Sequence, residues 1–312
     1  MALIVAFMVA VVAAPIAARV ACRLGIVDRP GPLKIQAHPV PYLGGVAVFV
    51  GLAAPLAVER PLLLVPLGLS LTLGLADDIK RTSPVTRLSL EVAIGVIAAW
   101  VLPARDFAGA VVTVALVVGL LNAINLLDGL DGLASAVSLM SALGFALILH
   151  GEFRVFALAL AGSLAGLLVW NRPPARIYLG DGGSYLVGTG LAILLAAAFN
   201  DGESIALASG AVLFLAVPVA DITVAIVRRL RARRPLVYGD RGHIYDQLVD
   251  RGWGPLATVG ACTFAQALLV GIGVAIASLP AGIAVAIAAA LVVSAGTLLL
   301  VAFTTPGTWK TR

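Results

Sequence analysis

The sequence predicts an all-α polytopic membrane protein with about 10–11 transmembrane helices, an extracytoplasmic N-terminus and its polar groups gathered at the cytoplasmic face. Three observations carry this. Of the 312 residues 61% are hydrophobic and 12% charged, and the mean hydropathy of +1.07 lies far above that of water-soluble domains. Apolar stretches follow one another with short connections, each near the roughly 20 residues that cross the hydrocarbon. Lys and Arg fall on alternate connections.

In order, the first stretch, 2–20, has no charge before Arg19; it therefore lacks the basic start of a cleavable signal peptide and is expected to stay in the mature protein. The second, 42–58, opens at Gly44 and Gly45 behind a proline-fixed loop, and the third, 61–76, ends at Asp77 and Asp78. Stretch 88–104 follows Arg87 and closes at "PARD"; 108–127 closes in "NAINLLDGLDGL", from which 133–149 departs. Stretch 155–170 is stopped by "NRPP", 184–199 begins after "GDGGS", and 204–226 runs into an arginine-rich segment. Stretches 256–278 and 282–303 are separated by "LPAG". The third and the sixth to eighth are short or glycine-interrupted, hence ten or eleven.

With the N-terminus outside, eighteen of the 21 Lys and Arg fall on inner segments, leaving Arg60, Arg105 and Arg154 outside. Basic inner loops account for the net charge of +5, so no nucleic-acid partner is needed. The outer connections ("ERP", "PARD", "HGEFR", "NDGES", "LPAG") are too short for a soluble domain, and residues 1–312 read as one integral-membrane domain. Cys22 and Cys262 are expected far apart, with no disulfide or metal motif.

Five inner segments remain, 21–41, 77–87, 122–132, 171–183 and 227–255, and the carboxylates collect there. A carboxylate at membrane depth is costly, so several on one side imply a shared site. In "NAINLLDGLDGL", Asn122, Asn125, Asp128 and Asp131 recur in steps of three, which on a helix drift by about 60° and fan over half the circumference. The two "DG" pairs predict that the helix stops before Asp131 and turns. A plain helix exit with Asp131 capping the next span would leave the other three unexplained.

In "LGLADDIKRTSPVTR" the adjacent Asp77 and Asp78 repel unless a cation or proton intervenes. Mg²⁺ suits hard oxygen ligands and phosphates; a helix cap, or pairing with Lys80 and Arg81, is the plainer alternative. In "NRPPARIYLGDGGSYLVG", Asp181 and Ser184 open a helix whose N–H groups and dipole favour phosphate. Tyr178 precedes it, suited either to stacking on a base or to the interfacial aromatic belt. In "GDRGHIYDQL", Arg241 and His243 suit anion recognition better than anchoring. "PLKIQAHPVPYLGG" adds Lys34, compatible with a phosphate clamp, and His38.

Taken together and in this order, "LGG", "DD", "NAxNLxDGLDGL", "GDGGS" and "DRxH" over about 20–255 resemble the polyprenyl-phosphate N-acetylhexosamine-1-phosphate transferase superfamily (glycosyltransferase family 4). The resemblance implies a ten- or eleven-helix, Mg²⁺-dependent enzyme of the inner or plasma membrane, Mn²⁺ being an alternative, with a cytoplasmic active site. Its reaction moves a sugar 1-phosphate from a UDP-N-acetylhexosamine to a polyprenyl phosphate and releases UMP, an early membrane step of cell-wall or surface-glycan synthesis. Carried over by motif, Asp77 and Asp78 activate the lipid phosphate or hold metal, and Asp181 is the firmest Mg²⁺ ligand with Asp78 second. Asn122, Asn125, Asp128 and Asp131 shape the nucleotide-sugar pocket, Asp128 within the catalytic set. Asn171 lies near the sugar phosphate, Tyr178 stacks on uracil and Lys34 contacts the nucleotide. Direct attack by the lipid phosphate is favoured over a covalent aspartyl intermediate, and a homodimer is compatible with all of this.

Two departures stand out: Gln36 and Tyr245 occupy positions where relatives carry histidine. The run of three histidines typical of the phospho-N-acetylmuramoyl-pentapeptide translocase is missing from "HIYDQ", which argues for the N-acetylglucosamine-type branch. That translocase is the alternative within the enzyme class. A secondary transporter is the alternative outside it, although transporter carboxylates sit near the midplane, whereas these cluster at one face.

Overall fold

A computed structural model of the chain describes residues 1–29, 38–80, 82–102, 106–200, 204–235 and 242–304. The helices are α1 (Ala2–Leu24), α2 (Gly44–Glu59), α3 (Leu64–Ile79), α4 (Pro84–Val101), α5 (Phe107–Leu127), α6 (Leu133–Ile148), α7 (Gly151–Asn171), α8 (Gly180–Asn200), α9 (Ile205–Val212), α10 (Ala216–Arg231), α11 (Ile244–Asp250), α12 (Pro255–Ala277) and α13 (Ala281–Thr304). A two-residue antiparallel pair, β1 (Val27–Asp28) with β2 (Val40–Pro41), lies between α1 and α2. Among the described residues nine helical rods are long and apolar enough to cross a membrane, and α2 and α6 are shorter apolar helices, which gives the expected eleven.

Local signals set several helix starts. Ser83 accepts a hydrogen bond from the Thr86 N–H at 3.1 Å with Pro84 in the first helical position, so α4 begins four residues earlier than hydropathy places it and carries Arg87 and Glu91. Asp106 caps α5 through the Gly109 N–H at 2.7 Å. The stretch expected over 204–226 is not one helix. It breaks at a 3-10 turn, Leu213–Leu215, and resumes through Pro218 to Arg231. Backbone freed at the break cannot find water in the hydrocarbon. Gln266 of α12 supplies the partners, donating to the Leu213 and Phe214 carbonyls at 3.2 and 2.9 Å and accepting from the Val217 N–H at 3.0 Å.

α8 is the central rod, buried along nearly its whole length and packed on α2, α3 and α5. Its glycine-rich start permits close helix approach. A Cβ at Gly45 would stand 2.4 Å from the Gly183 backbone. Gly45→Ala is therefore expected to cost about 1–3 kcal/mol, read as a lower melting temperature in detergent. Deeper in the bundle, Ser70 and Thr189 hydroxyls meet at 2.7 Å and tie α3 to α8. α1 lays a stripe of Ala6, Ala10, Ala14, Ala17 and Ala21 inward, packing against α7.

Candidate active site

Because successive rods reverse direction, the C-termini of α3, α5 and α7 and the N-termini of α4, α6 and α8 share one end of the bundle. Asp78, Asn125, Asp128, Asp131, Tyr178 and Asp181 gather there around the start of α8. The start of α8 is strapped in place by backbone: the Tyr178 N–H donates to the Pro41 carbonyl at 2.8 Å, and the Gly44 and Gly45 N–H groups donate to the Tyr178 and Leu179 carbonyls at 2.9 and 3.0 Å. Gly180 then turns the chain with φ +74°, where a Cβ would meet the Tyr42 carbonyl and the Asp78 carboxylate.

Asp78 reaches across from α3 and accepts the backbone N–H of Asp181 and of Gly182, each at 3.1 Å. It is an N-cap supplied by a different helix, about a hundred residues away in sequence. Asp181 Oδ1 accepts from Asn125 Nδ2 at 2.7 Å, and the same nitrogen reaches the Ser184 hydroxyl at 3.2 Å. Among the described residues nothing donates to Asp181 Oδ2.

Asp128 ends α5, and its carboxyl accepts the Gly180 N–H with Asp181, Asp78 and Asp131 around it. Burial first, then these three carboxylates, push its pKa well above the ordinary 3.8. Asp131 does not cap α6; it accepts the Ala175 N–H at 2.8 Å and so holds the segment after α7, while Gly132 precedes α6 with no side-chain cap. Tyr178 is half-buried beside Asp131 and Asp128, its phenol raised to about 12 by desolvation and then by those carboxylates. Its ring lies 6.0 Å from that of Tyr42 at 49°.

Asp77 belongs to a different arm. It accepts the Thr82 N–H and hydroxyl at 2.7 Å each and the Tyr185 hydroxyl at 3.0 Å, with Arg87 Nη1 at 3.6 Å. Arg87 Nε lies 3.4 Å from Glu91, which accepts from Asn122 Nδ2 at 2.7 Å. Asp77 and Asp78, adjacent in sequence, thus meet separate partners, hydroxyls and a guanidinium on one, backbone N–H groups on the other.

Arg87, Glu91 and Tyr185 are site residues that the sequence motifs do not single out. Glu91 is 1% exposed in "RLSLEVAIG", and a lone carboxylate inside an apolar helix four residues from an arginine was the available signal. Asn171, also 1% exposed, accepts from Ser135 Oγ at 2.8 Å and donates to the Ile177 carbonyl at 2.9 Å; it braces the wall behind the site. His243 is buried, with Nδ1 2.7 Å from Asp221. His38 is exposed. Lys34 and Arg241 lie outside the described residues.

Among the described residues no three acidic, histidine or cysteine side chains form a complete metal cage. Mg²⁺ asks for less, since it binds through one or two carboxylates and keeps water and substrate phosphate as its other ligands. Asp181 with its uncommitted oxygen, Asp78 beside it and the crowding of negative charge at Asp128 fit such an ion.

Compared with known proteins, residues 61–198, the run from α3 into α8 that holds this cluster, match glycosyl transferase family 4. The chain is 33% identical over 226 residues to the undecaprenyl-phosphate alpha-N-acetylglucosaminyl 1-phosphate transferase of Thermotoga maritima, covering 70% of this chain and 71% of that one. It is 30% identical over 286 residues to the decaprenyl-phosphate N-acetylglucosaminephosphotransferase of Mycobacterium leprae, covering 74% and 71%. Likeness to the undecaprenyl-phosphate alpha-N-acetylglucosaminyl 1-phosphate transferase of Yersinia pestis is 28% over 284 residues, covering 81% and 77%.

Proposed function

The chain belongs to glycosyl transferase family 4, and from that premise we propose that it transfers N-acetylglucosamine 1-phosphate from UDP-N-acetylglucosamine to a polyprenyl phosphate at the cytoplasmic face of the cell membrane. The observation that carries the reading is the gathering of Asp78, Asp128, Asp131 and Asp181 around the N-terminus of the central helix, at one end of an apolar bundle. A lipid phosphate can reach that end from the bilayer and a nucleotide sugar from the cytosol. The surplus of Lys and Arg on the segments at that end supports a cytoplasmic placement and an N-terminus outside.

In the reaction, a nonbridging oxygen of the polyprenyl phosphate attacks the sugar-linked phosphorus of the UDP-sugar. The bond from that phosphorus to the bridging oxygen breaks, and the oxygen leaves with UMP, giving polyprenyl-diphosphate N-acetylglucosamine. Asp181, with Asp78 alongside, would hold Mg²⁺ or Mn²⁺, which would supply charge neutralisation for the diphosphate. Asn125 fixes the Asp181 carboxylate and Asp78 fixes the backbone that carries it. Asp128 holds a proton more firmly than an ordinary carboxylate, which suits it to accept one from a monoprotonated lipid phosphate as attack develops. Tyr178, with Asp131 behind it, offers a ring face for uracil.

Purified protein given Mg²⁺, polyprenyl phosphate and a panel of UDP-sugars tests this through released UMP. UMP is expected only when UDP-N-acetylglucosamine and the lipid phosphate are both present. Release with UDP-N-acetylmuramoyl-pentapeptide alone among the donors would replace the proposed sugar, and uptake into vesicles without UMP release would replace the reaction.

A further inference from the structure

The last inner segment is held by a buried contact between a carboxylate and an imidazole that the proposed reaction leaves unused. Asp221, in α10 and 1% exposed, accepts from two neighbouring positions of that segment: Oδ2 lies 2.7 Å from His243 Nδ1, and Oδ1 takes the Ile244 backbone N–H at 2.7 Å. His243 is itself 3% exposed and stacks on Tyr245, with centroids 5.4 Å apart and planes within 8°. The Tyr245 hydroxyl donates to the Leu126 carbonyl at 3.0 Å, and a Cβ on Gly129 would fall on that hydroxyl. One carboxylate therefore fixes the histidine ring, the first turn of α11 and, through the stacked tyrosine, the seat of that segment on the turn bearing Asp128.

We infer that Asp221 is a positioning residue for the transferase site, holding the proton of His243 on Nδ1 and keeping Nε2 for the diphosphate of the nucleotide sugar. The physical reason is the acceptor count. A carboxylate offers an oxygen to each of two donors, and the nitrogen engaged by it dictates what the other ring nitrogen presents. Free neutral histidine favours the opposite tautomer, with the proton on Nε2, so the contact with Asp221 changes the ring's chemistry as well as its place. Tyr245 acts here as a latch on Leu126.

This inference rests on the proposed reaction for its kinetic consequence but not for its spectroscopic one. The chain has three histidines, so ¹⁵N-histidine labelling gives few ring signals, and His38→Gln and His150→Gln assign the third. At a pH where the ring is neutral, His243 of the unsubstituted protein is expected to carry its proton on Nδ1; a proton on Nε2 overturns the inference even if every Asp221 variant fails to fold. Asp221→Ala is expected to shift the ring toward the Nε2–H form and raise the KM for UDP-N-acetylglucosamine about tenfold, the equivalent of one lost hydrogen bond to a charged group. The KM for polyprenyl phosphate should stay within about twofold, because that substrate does not depend on His243. Asp221→Glu should recover part of the nucleotide-sugar KM. An unchanged tautomer in Asp221→Ala, or a fall in activity shared equally by both substrates and not recovered by Glu, would mean that Asp221 is only structural. Absence of UMP release from the unsubstituted protein with every UDP-sugar would remove the proposed function, while the ring signals would still decide the role of Asp221.

Discussion

Asp181→Asn is expected to lower UMP release by roughly a hundredfold or more and to move the Mg²⁺ titration to much higher concentration. The substitution is nearly isosteric, and its surroundings isolate the charge. Asn125 can still donate to the remaining carbonyl oxygen, and the backbone of the first turn of α8 is still capped by Asp78, whose contacts are with the N–H groups of residues 181 and 182. What is lost is the anionic oxygen that no described residue engages. A neutral amide is a poor ligand for a hard cation. Turnover measured across a Mg²⁺ series, beside a melting curve, checks the expectation; a normal Mg²⁺ midpoint with reduced turnover would take Asp181 out of the metal site.

Asp128→Asn is expected to abolish turnover while leaving the melting temperature unchanged or higher at neutral pH. Its carboxyl is buried among Asp181, Asp78 and Asp131, and its folded-state pKa is raised well above 3.8. The folded protein therefore binds that proton more tightly than the unfolded chain. The resulting stability is fully present below about 4 and is lost as pH rises through the raised value. An amide in that place does not ionise, so the gain over the unsubstituted protein should grow from pH 4 to pH 7. Melting curves at the two pH values, in the presence of a chelator, read this directly. A large drop in melting temperature at pH 7 would make Asp128 structural glue between α5 and α8. Asn125→Ala is a useful companion, since it removes only the donors to Asp181 and Ser184 and should reduce turnover more than stability.

Much of the architecture was legible from local properties. Hydropathy over windows of roughly 20 residues found the eleven rods because crossing the hydrocarbon sets their length and composition. Glycine after Asp128 and Asp131 forecast the end of α5 and the turn before α6: Gly132 takes a left-handed φ of +74°, and Gly129 leaves room for the Tyr245 side chain. Charge asymmetry and the crowding of aspartates at alternate rod ends located the site to one face. Steps of three along α5 also said that Asn122 and Asn125 must point apart, by about 60°.

Which neighbour each of them met was decided only by tertiary packing. Asn122 turned to Glu91 of α4 and Asn125 to Asp181 of α8. Asp77 and Asp78, adjacent in sequence, separated into a hydroxyl-and-arginine arm and a cap for a helix that begins about a hundred residues later. The sequence determined by itself that carboxylates would be expensive at this depth and would need partners, because that cost belongs to each side chain and its solvent. It could not assign the partners. Those depend on glycine-permitted approaches such as Gly45 to Gly183, which set the rotation and depth of α8 against α2, α3 and α5, and a shift of one residue in that seating would hand every N–H of its first turn to a different acceptor.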